Sequence, residues 1–240
     1  MKINNLLLFS LIIFLLFSCD DKIKEKKNYV IFEANPKKEN IQFYWKNKNG
    51  EALKSLGNLK NYIESNNEVL KFAMNAGMFE INNIPKGLYI QDSEILNNID
   101  TLKGNGNFYL QPNGIFYITK NKIPQILETK KFIYNKDVDF ATQSGPMLLI
   151  NGSINPIFQE QSKNLNIRNC VGILENGNTV FVMSKKEVNF YSFASLFKEI
   201  GCKNALYLDG FVSRAYLPEK NWVQEDGDFG VIIGVTESKK

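Results

Sequence analysis

Short apolar runs, each about as long as one β-strand and each ended by a turn-forming residue, dominate this chain of 240 residues. A run of this length bounded by glycine, asparagine or proline is typical of a strand rather than a helix. Clear examples are Val69–Met74, Gly114–Thr119, Met147–Ile150 and Ala205–Leu208. Only Ala52–Ser65 and Phe190–Ile200 have helical spacing of apolar residues. We therefore predict an α+β fold: a single domain with a mixed, mostly antiparallel β-sheet core flanked by a few helices.

Turn residues predict how several of these elements connect or end. Three hairpins are expected, and they join Tyr29–Ala34 to Ile41–Trp45, Leu88–Gln91 to Glu94–Leu96, and Cys170–Leu174 to Thr179–Ser184. Phe108–Gln111 is predicted to be a further strand. Gly201 follows the second helical segment, where glycine commonly ends a helix in the left-handed conformation.

The amino terminus has the features of an export signal. After the basic start Met1-Lys2 comes the apolar run Leu6–Phe17, which is shorter than the roughly 20 residues that a membrane-spanning helix needs. The run instead fits the apolar region of a secretory signal. It ends in Leu16-Phe17-Ser18-Cys19, which resembles a bacterial lipoprotein signal. That resemblance implies cleavage before Cys19 and lipidation of its thiol, although an ordinary signal with a chance cysteine is the alternative.

This interpretation sets the domain boundaries and the location. Residues 1–18 are predicted to be the signal peptide, and residues 19–28 the lipidated cysteine with a polar, lysine-rich tether. Residues 29–240 then form one domain. We expect the protein to be exported and anchored by its lipid to the bacterial cell envelope, at the periplasmic or outer-surface face.

The chain has no histidine, and this excludes several kinds of active site. Ser-His-Asp and Cys-His triads and histidine-containing zinc sites are impossible. Acid–base chemistry falls to carboxylates, Tyr, Lys or an activated Cys, which favours glycosidase-type chemistry or an oxygen-ligated metal. The net charge of +4 is too small and too local to indicate a nucleic-acid partner. No cofactor is predicted, and Cys170 and Cys202 are either a disulfide or, as we favour, two buried thiols.

Three loops and one strand entry share the groups that a binding site needs. The loops are 75–80, 143–146 and 209–214, and each contains glycine and follows an apolar strand. The strand entry is 166–169. If they meet, they assemble the carboxylates of Glu80 and Asp209, the cations of Arg168 and Arg214, and the polar groups of Asn75, Gln143, Ser144 and Ser213. Each loop taken alone favours an ordinary turn, whereas the shared set of groups in all four elements favours a common site.

The most informative loop is Asp209-Gly210, because a buried strand delivers its carboxylate to the edge of a sheet. Gly210 permits a sharp turn or the close approach of a ligand. Arg214 adds a cation a few residues later. A β-turn in which Asp209 bonds its own backbone is the alternative interpretation.

Four motifs in order resemble the phosphodiester glycosidase family, which includes the lysosomal uncovering enzyme. The motifs are Asn75-Ala76-Gly77-Met78-Phe79, Thr142-Gln143-Ser144-Gly145-Pro146-Met147-Leu148, Ile167-Arg168-Asn169-x-Val171-Gly172, and Gly201-Cys202-x-Asn204-Ala205-Leu206-Tyr207-Leu208-Asp209-Gly210. The similarity extends over roughly residues 40–236. It implies hydrolysis of an α-linked, N-acetylglucosamine-like sugar from a sugar-1-phosphodiester, in envelope or exopolysaccharide metabolism. The site residues that it implies are Asn75, Gly77, Gln143, Ser144, Gly145, Arg168, Asp209 and Gly210.

Within this resemblance we assign the catalytic roles to Asp209, Arg168 and Glu80. Asp209 is the reacting carboxylate, Arg168 binds the phosphate, and Glu80 is the second candidate carboxylate. The family commonly continues Leu-Asp-Gly-Gly-x-Ser-Ser, whereas Phe211 and Arg214 stand here in place of a glycine and a small hydroxyl residue.

That departure leaves other functions open. One is a non-catalytic, membrane-tethered lipoprotein that binds glycans or assists envelope assembly. A weaker one is metal-dependent cleavage of the P–O bond. The expected partners are a sugar phosphodiester or glycan substrate and, through the lipid anchor, a membrane.

Overall fold

The structure is a computed structural model that describes residues 26–239. The predicted signal segment and Cys19 lie outside these residues. The described part contains two α-helices, α1 (Leu56–Ser65) and α2 (Phe190–Glu199), together with several short 3-10 turns. The strands are β1 (Tyr29–Ala34), β2 (Asn40–Tyr44), β3 (Glu68–Asn75), β4 (Tyr89–Gln91), β5 (Glu94–Asn97), β6 (Gly114–Thr119), β7 (Pro124–Glu128), β8 (Val138–Ser144), β9 (Met147–Ile150), β10 (Ser153–Ile154), β11 (Asn169–Leu174), β12 (Thr179–Ser184), β13 (Cys202–Tyr207), β14 (Ala215–Leu217), β15 (Trp222–Val223) and β16 (Ile232–Ser238).

The strands form three sheets around one shared core. Their orders are β1-β12-β11-β13-β9-β10, β15-β14-β3-β16-β2, and β5-β4-β8-β6-β7. Every strand pairing in residues 26–239 is antiparallel. The predicted α+β fold with a mostly antiparallel core and few helices is confirmed.

Aromatic rings from all three sheets meet in this core. The Phe32 ring on β1 stacks on that of Phe72 on β3, with centroids 4.6 Å apart, and Phe72 also stacks on Phe181 of β12 at 5.2 Å. Phe116 of β6 lies 5.4 Å from Phe43 of β2. Aromatic pairs at such distances add about 0.5–1.5 kcal/mol each to the free energy of burial, so these contacts hold the sheets against one another.

Each helix covers the outer face of one sheet. Helix α1 begins after Ser55, whose hydroxyl accepts a hydrogen bond from the N–H of Asn58, and it packs on β3 and β16. Helix α2 begins after Asn189, whose side chain accepts from the N–H of Ser192, and it packs on β9 and β13. Gly201 follows α2 with a φ of +85°, which confirms its predicted role at the helix end.

Three details of the predicted elements are wrong. The first two strands do not form a hairpin, because β1 pairs with β12 and β2 pairs with β16 in a different sheet. Residues 107–109 form a 3-10 turn rather than a strand, and the turn buries the ring of Phe108. Helix α1 begins at Leu56 rather than Ala52, because Lys54 takes a positive φ of 65° just before the cap.

The two described cysteines are buried free thiols, as we favoured. Cys170 lies opposite Tyr207 on the neighbouring strand, whereas Cys202 lies opposite Leu174. Their backbone positions are therefore four residues apart along one ladder, about 13 Å, which is beyond the Cα–Cα distance that a disulfide spans. Within residues 26–239, neither helix has the length and apolar character that crossing a bilayer requires.

Candidate active site

Asn75 joins the ends of strands from two sheets at one corner of the molecule. Its carboxamide nitrogen donates to the carbonyl of Asp209 at 2.8 Å, and its Oδ1 accepts from the N–H of Arg214 and from the amide of Asn169, both at 3.0 Å. The backbone carbonyl of Asn75 also accepts from Asn169, at 2.8 Å. Asn75 and Asn169 are buried, so these bonds satisfy polar groups that have no access to water. Asn75 therefore positions the loop that carries Asp209.

The backbone of Asp209 is held on both sides, and its side chain is half-buried. Its N–H donates to the carbonyl of Ala76 at 3.1 Å, and the preceding N–H, of Leu208, donates to the carbonyl of Asn169 at 3.1 Å. These bonds extend the β11–β13 pairing by one step, which brings Asp209 level with the chain entering β11 at Arg168. The carboxylate forms no ion pair with any residue that the structure describes.

Burial raises the pKa of the Asp209 carboxyl from its ordinary value of 3.8 to about 6. The main cause is removal of the charged form from water, and the N–H of Phe211 opposes the shift to a smaller degree. A carboxylate with a pKa near 6 is ionised at neutral pH, yet it is a stronger base than an exposed aspartate. Such a group suits proton abstraction or nucleophilic attack.

The Arg168 side chain is fully buried and has no carboxylate partner. Its Nε donates to the carbonyl of Val188 at 2.8 Å, and Nη2 donates to the carbonyl and Oδ1 of Asn164 at 2.9 and 3.0 Å. The guanidinium lies 3.7 Å from the ring centroid of Phe190, a favourable cation–π arrangement. Nη1 has no hydrogen-bond partner. Burial lowers the pKa of Arg168, and the unsatisfied Nη1 leaves donor capacity for an anion.

Tyr207 links these two charged groups. Its hydroxyl accepts a hydrogen bond from the N–H of Gly210 at 3.0 Å, and its ring centroid lies 5.5 Å from the Arg168 guanidinium. Burial raises the pKa of Tyr207, the positive charge of Arg168 lowers it, and the negative charge of Asp209 raises it. Both charges are thus close enough to act on one hydroxyl. The structure brings Arg168 and Asp209 to the same corner, with Tyr207 beside both.

The hydrogen bond from the Gly210 N–H to the Tyr207 hydroxyl requires glycine at position 210. A Cβ at this position would lie 2.1 Å from the Tyr207 hydroxyl oxygen, well inside van der Waals contact. The predicted close approach at Gly210 is therefore real, but it is made by a side chain of the protein.

The third sheet meets the corner through Gly77. A Cβ on Gly77 would lie 2.5 Å from the carbonyl oxygen of Gln143 and 2.6 Å from Oγ1 of Thr142. Only glycine lets the chain after β3 lie this close to the end of β8. Gly145 is equally confined, since a Cβ there would lie 2.6 Å from Cβ of Asn113. Ser144 is buried between them, and its hydroxyl has no hydrogen-bond partner.

The side chain of Gln143 binds the backbone around Leu88 and Asp100 and does not face solvent. Its Oε1 accepts from the N–H groups of Leu88 and Asp100, both at 2.9 Å, and its Nε2 donates to the carbonyl of Asp100 at 2.6 Å. The side chain is completely buried. Gln143 can therefore act on a ligand only by positioning this loop.

Ser213 and Arg214 stabilise the turn after Asp209. The Ser213 hydroxyl donates to the carbonyl of Gly210 at 2.9 Å. The Arg214 Nε bonds both carboxylate oxygens of Asp226 at 2.9 Å, so its charge is already paired at the surface. The intervening Phe211 is 90% exposed. The loop therefore presents an aromatic ring to solvent where the family pattern has glycine.

No hydrogen bond or ion pair of the described residues connects Glu80 to this corner. Its carboxylate pairs with Lys86 at 2.6 Å and is mostly exposed. Lys86 in turn lies over the rings of Phe108 and Tyr109. The catalytic role assigned to Glu80 stays a prediction, as do the roles assigned to Asp209 and Arg168.

A cavity of about 250 Å³ opens beside the Asp209–Gly210 loop. Its lining includes Gly210, Phe211, Ser213, Arg214 and Trp222. Ile167, which precedes Arg168, also lines it. Among residues 26–239, no three Asp, Glu or Cys side chains cluster as they would around a metal ion.

Sequence reasoning missed Tyr207 and the buried linkage through Asn169. Tyr207 lies inside an apolar run, so nothing in the local pattern separates it from a core residue. Asn169 immediately follows Arg168, and its polarity at the entry to a buried strand is the signal that was available.

Comparison with known proteins places this corner in context. Residues 68–234 match the family model described as phosphodiester glycosidase. The chain is 38% identical over 187 residues to the uncharacterized protein YigE of Escherichia coli strain K12, an alignment covering 78% of this chain and 73% of YigE.

Two solved structures share the fold. The catalytic domain of zebrafish N-acetylglucosamine-1-phosphodiester alpha-N-acetylglucosaminidase, auto-inhibited by its pro-peptide, superposes with a TM-score of 0.62 at 15% identity, over 87% of this chain and 83% of that one. A hypothetical protein from Synechocystis gives a TM-score of 0.56 at 14% identity, over 87% and 59% of the respective chains. The family match covers most of the folded domain and includes Asn75, Arg168 and Asp209, so this chain belongs to the phosphodiester glycosidase family.

Proposed function

We propose that the protein hydrolyses the bond between the anomeric carbon of an α-linked, N-acetylglucosamine-like sugar and the phosphate of a sugar-1-phosphodiester, in envelope or exopolysaccharide metabolism. The observation that carries the proposal is the half-buried carboxylate of Asp209, with its pKa raised to about 6 and no cation paired to it. In this reaction Asp209 takes the proton from the attacking water, and the water oxygen bonds to the anomeric carbon. The electron pair of the broken C–O bond leaves with the phosphate.

A phosphate leaving group removes the need for a second catalytic carboxyl. The departing phosphate monoester has a second pKa of about 6, so it leaves as an anion without a proton donor. Ordinary glycosidases need a general acid beside the base or nucleophile. A chain without histidine and with one half-buried carboxylate at its site is therefore suited to this reaction.

Arg168 supports binding of the phosphate. A buried guanidinium with no carboxylate partner and an unsatisfied Nη1 favours an anion close by. Asn75, Gln143 and Ser144 contribute by positioning the loops around the substrate. Substitution of Arg168 is expected to raise KM for phosphodiesters more than for neutral aryl glycosides.

Asp209→Asn tests the proposal directly. The substitution preserves size and removes the base, so we expect a loss of turnover of roughly 100-fold or more on a sugar-1-phosphodiester. The matched control is Asp137→Asn, at an exposed loop position. Unchanged turnover in a folded Asp209 variant would refute the assignment, whereas loss only in Glu80→Gln would move the carboxylate role to Glu80.

The anomer released first tests how Asp209 acts. If Asp209 acts as a base that deprotonates water, the configuration at the anomeric carbon is inverted. If Asp209 instead attacks as a covalent nucleophile, the configuration is retained. Proton NMR during the first turnovers separates the two. Hydrolysis in oxygen-18 water must place the label on the sugar; label on the phosphate would indicate P–O cleavage.

A non-catalytic glycan-binding protein is the second candidate, and Phe211 favours it. This ring is 90% exposed at the mouth of the site, where it offers an apolar face to a sugar. Binding of a sugar phosphodiester without release of product, lost in Phe211→Ala, would support this candidate.

We also propose export and lipid anchoring through Cys19. Radiolabelled palmitate or mass spectrometry of the native protein tests this, with Cys19→Ser as the control. A full-length chain without lipid would contradict it.

A further inference from the structure

A cleft of about 390 Å³ adjoins the cavity described above and is strongly basic. Four of its lining residues are lysines, Lys26, Lys27, Lys185 and Lys220, and no Asp or Glu lines it. The remaining wall is Trp222 and the start of β1. Its volume is in the range of small-molecule sites.

Three of the four ammonium groups are available to a ligand. Lys26 is paired with Glu199, but Lys27, Lys185 and Lys220 have no carboxylate within 4.0 Å among the described residues. The Lys220 Nζ donates to the carbonyl of Ile31 at 3.2 Å, which holds it against the cleft wall. Three lysines without a paired carboxylate among the described residues create a positive potential that attracts phosphate.

The cleft shares two lining residues with the cavity beside the Asp209–Gly210 loop. Lys185 and Trp222 line both, so one surface leads from Gly210 and Phe211 across the indole to the lysines. The Lys185 Nζ lies 5.2 Å from the Trp222 ring centroid, and the N–H of Lys185 donates to the carbonyl of Asn28, which fixes the segment bearing Lys27 beside it. The lysines therefore lie on the surface next to the cavity where the proposed substrate binds.

We propose that this cleft binds a second phosphate on the aglycone side of the substrate. The inference rests on the proposed function, since it names the class of phosphodiester that the same site accepts. A nucleoside diphosphate sugar is one example: its first phosphate lies at the scissile bond, its second among Lys185, Lys220 and Lys27, and its ring system packs on Trp222.

The experiment compares two substrates in the Lys185→Gln/Lys220→Gln double variant. One is a nucleoside diphosphate sugar, and the other is the methyl phosphodiester of the same sugar. We expect KM for the first to rise roughly tenfold at low salt, and KM for the second to change less than twofold. The matched control is Lys103→Gln/Lys136→Gln, at two exposed positions that line neither cavity. Equal effects on both substrates would overturn the proposal.

A binding measurement separates the cleft from catalysis. Inorganic pyrophosphate is titrated calorimetrically into the native protein and both double variants. This measurement reports binding even if the protein turns over no substrate. Binding lost only in the Lys185→Gln/Lys220→Gln variant supports the subsite, and equal binding in all three overturns it. Vesicles of phosphatidylglycerol and phosphatidylcholine test the other source of phosphate. If that variant loses vesicle binding while pyrophosphate binding is unchanged, the cleft serves a lipid headgroup and the proposal is wrong.

Discussion

Replacing Asp209 by Asn is expected to stabilise the fold at neutral pH. The native environment holds the pKa of this carboxyl at about 6, against 3.8 for an ordinary aspartate. The folded chain therefore binds more protons than the unfolded chain between these values, and its stability falls as the pH rises through this window. At about 1.36 kcal/mol for each pKa unit, the full cost of ionising Asp209 in the fold is about 3 kcal/mol.

The assay is urea unfolding of the native protein and the variant at about pH 4.5 and about pH 8. Roughly 1 kcal/mol of the cost of ionising Asp209 is already present at the lower pH. The variant should therefore gain about 2 kcal/mol of unfolding free energy over the native protein when the pH is raised from the lower to the higher value. Other titrating groups, such as Glu39 with its pKa raised by burial, occur in both proteins and cancel. A difference that does not change with pH, or that favours the native protein at the higher pH, would refute the reasoning from burial.

Two further predictions concern the frame of the site and the thiols. Gly77→Ala places a Cβ 2.5 Å from a backbone carbonyl of β8, which cannot move aside, so we expect a loss of about 1–3 kcal/mol in denaturant unfolding; native stability would show that the sheets separate easily here. Cys170 and Cys202 are buried with raised pKa values, so a thiol reagent should label them only in denaturant. Rapid labelling of the native protein would contradict their burial.

Local sequence signals predicted the elements that form through short-range contacts. Helix α2 could be placed because its apolar spacing and the Gly201 that follows it both act within a few residues. The hairpin of β11 and β12 followed from the Asn-Gly turn at 176–177 in the same way. The pairing partners of β1 and β2 could not be predicted, because each pairing joins strands that are far apart in the sequence and depends on how the sheets pack together.

The sequence could predict which loops form the candidate site, but it could not predict how their side chains are oriented. Polar residues at the ends of apolar strands identified Asn75 and Asp209, a polar residue at a strand entry identified Arg168, and all three meet at one corner. Their orientations depend on contacts that no local pattern contains. Arg168 turns toward backbone carbonyls, and Arg214 pairs with Asp226.

The way in which Asp209 is held explains how one carboxylate can be basic beside a buried cation. Asn75 and Ala76 bind its main chain, and in the described part of the chain the only hydrogen bond that acts on the pKa of its carboxylate comes from the N–H of Phe211, within the same loop. Arg168 donates to backbone carbonyls and lies near the Tyr207 ring, and burial rather than this cation sets the direction of the Asp209 pKa shift. A direct ion pair would lower that pKa and leave neither a strong base nor a cation free for phosphate. In the proposed reaction, the absence of an ion pair at this carboxylate among the described residues therefore leaves Asp209 basic near neutral pH.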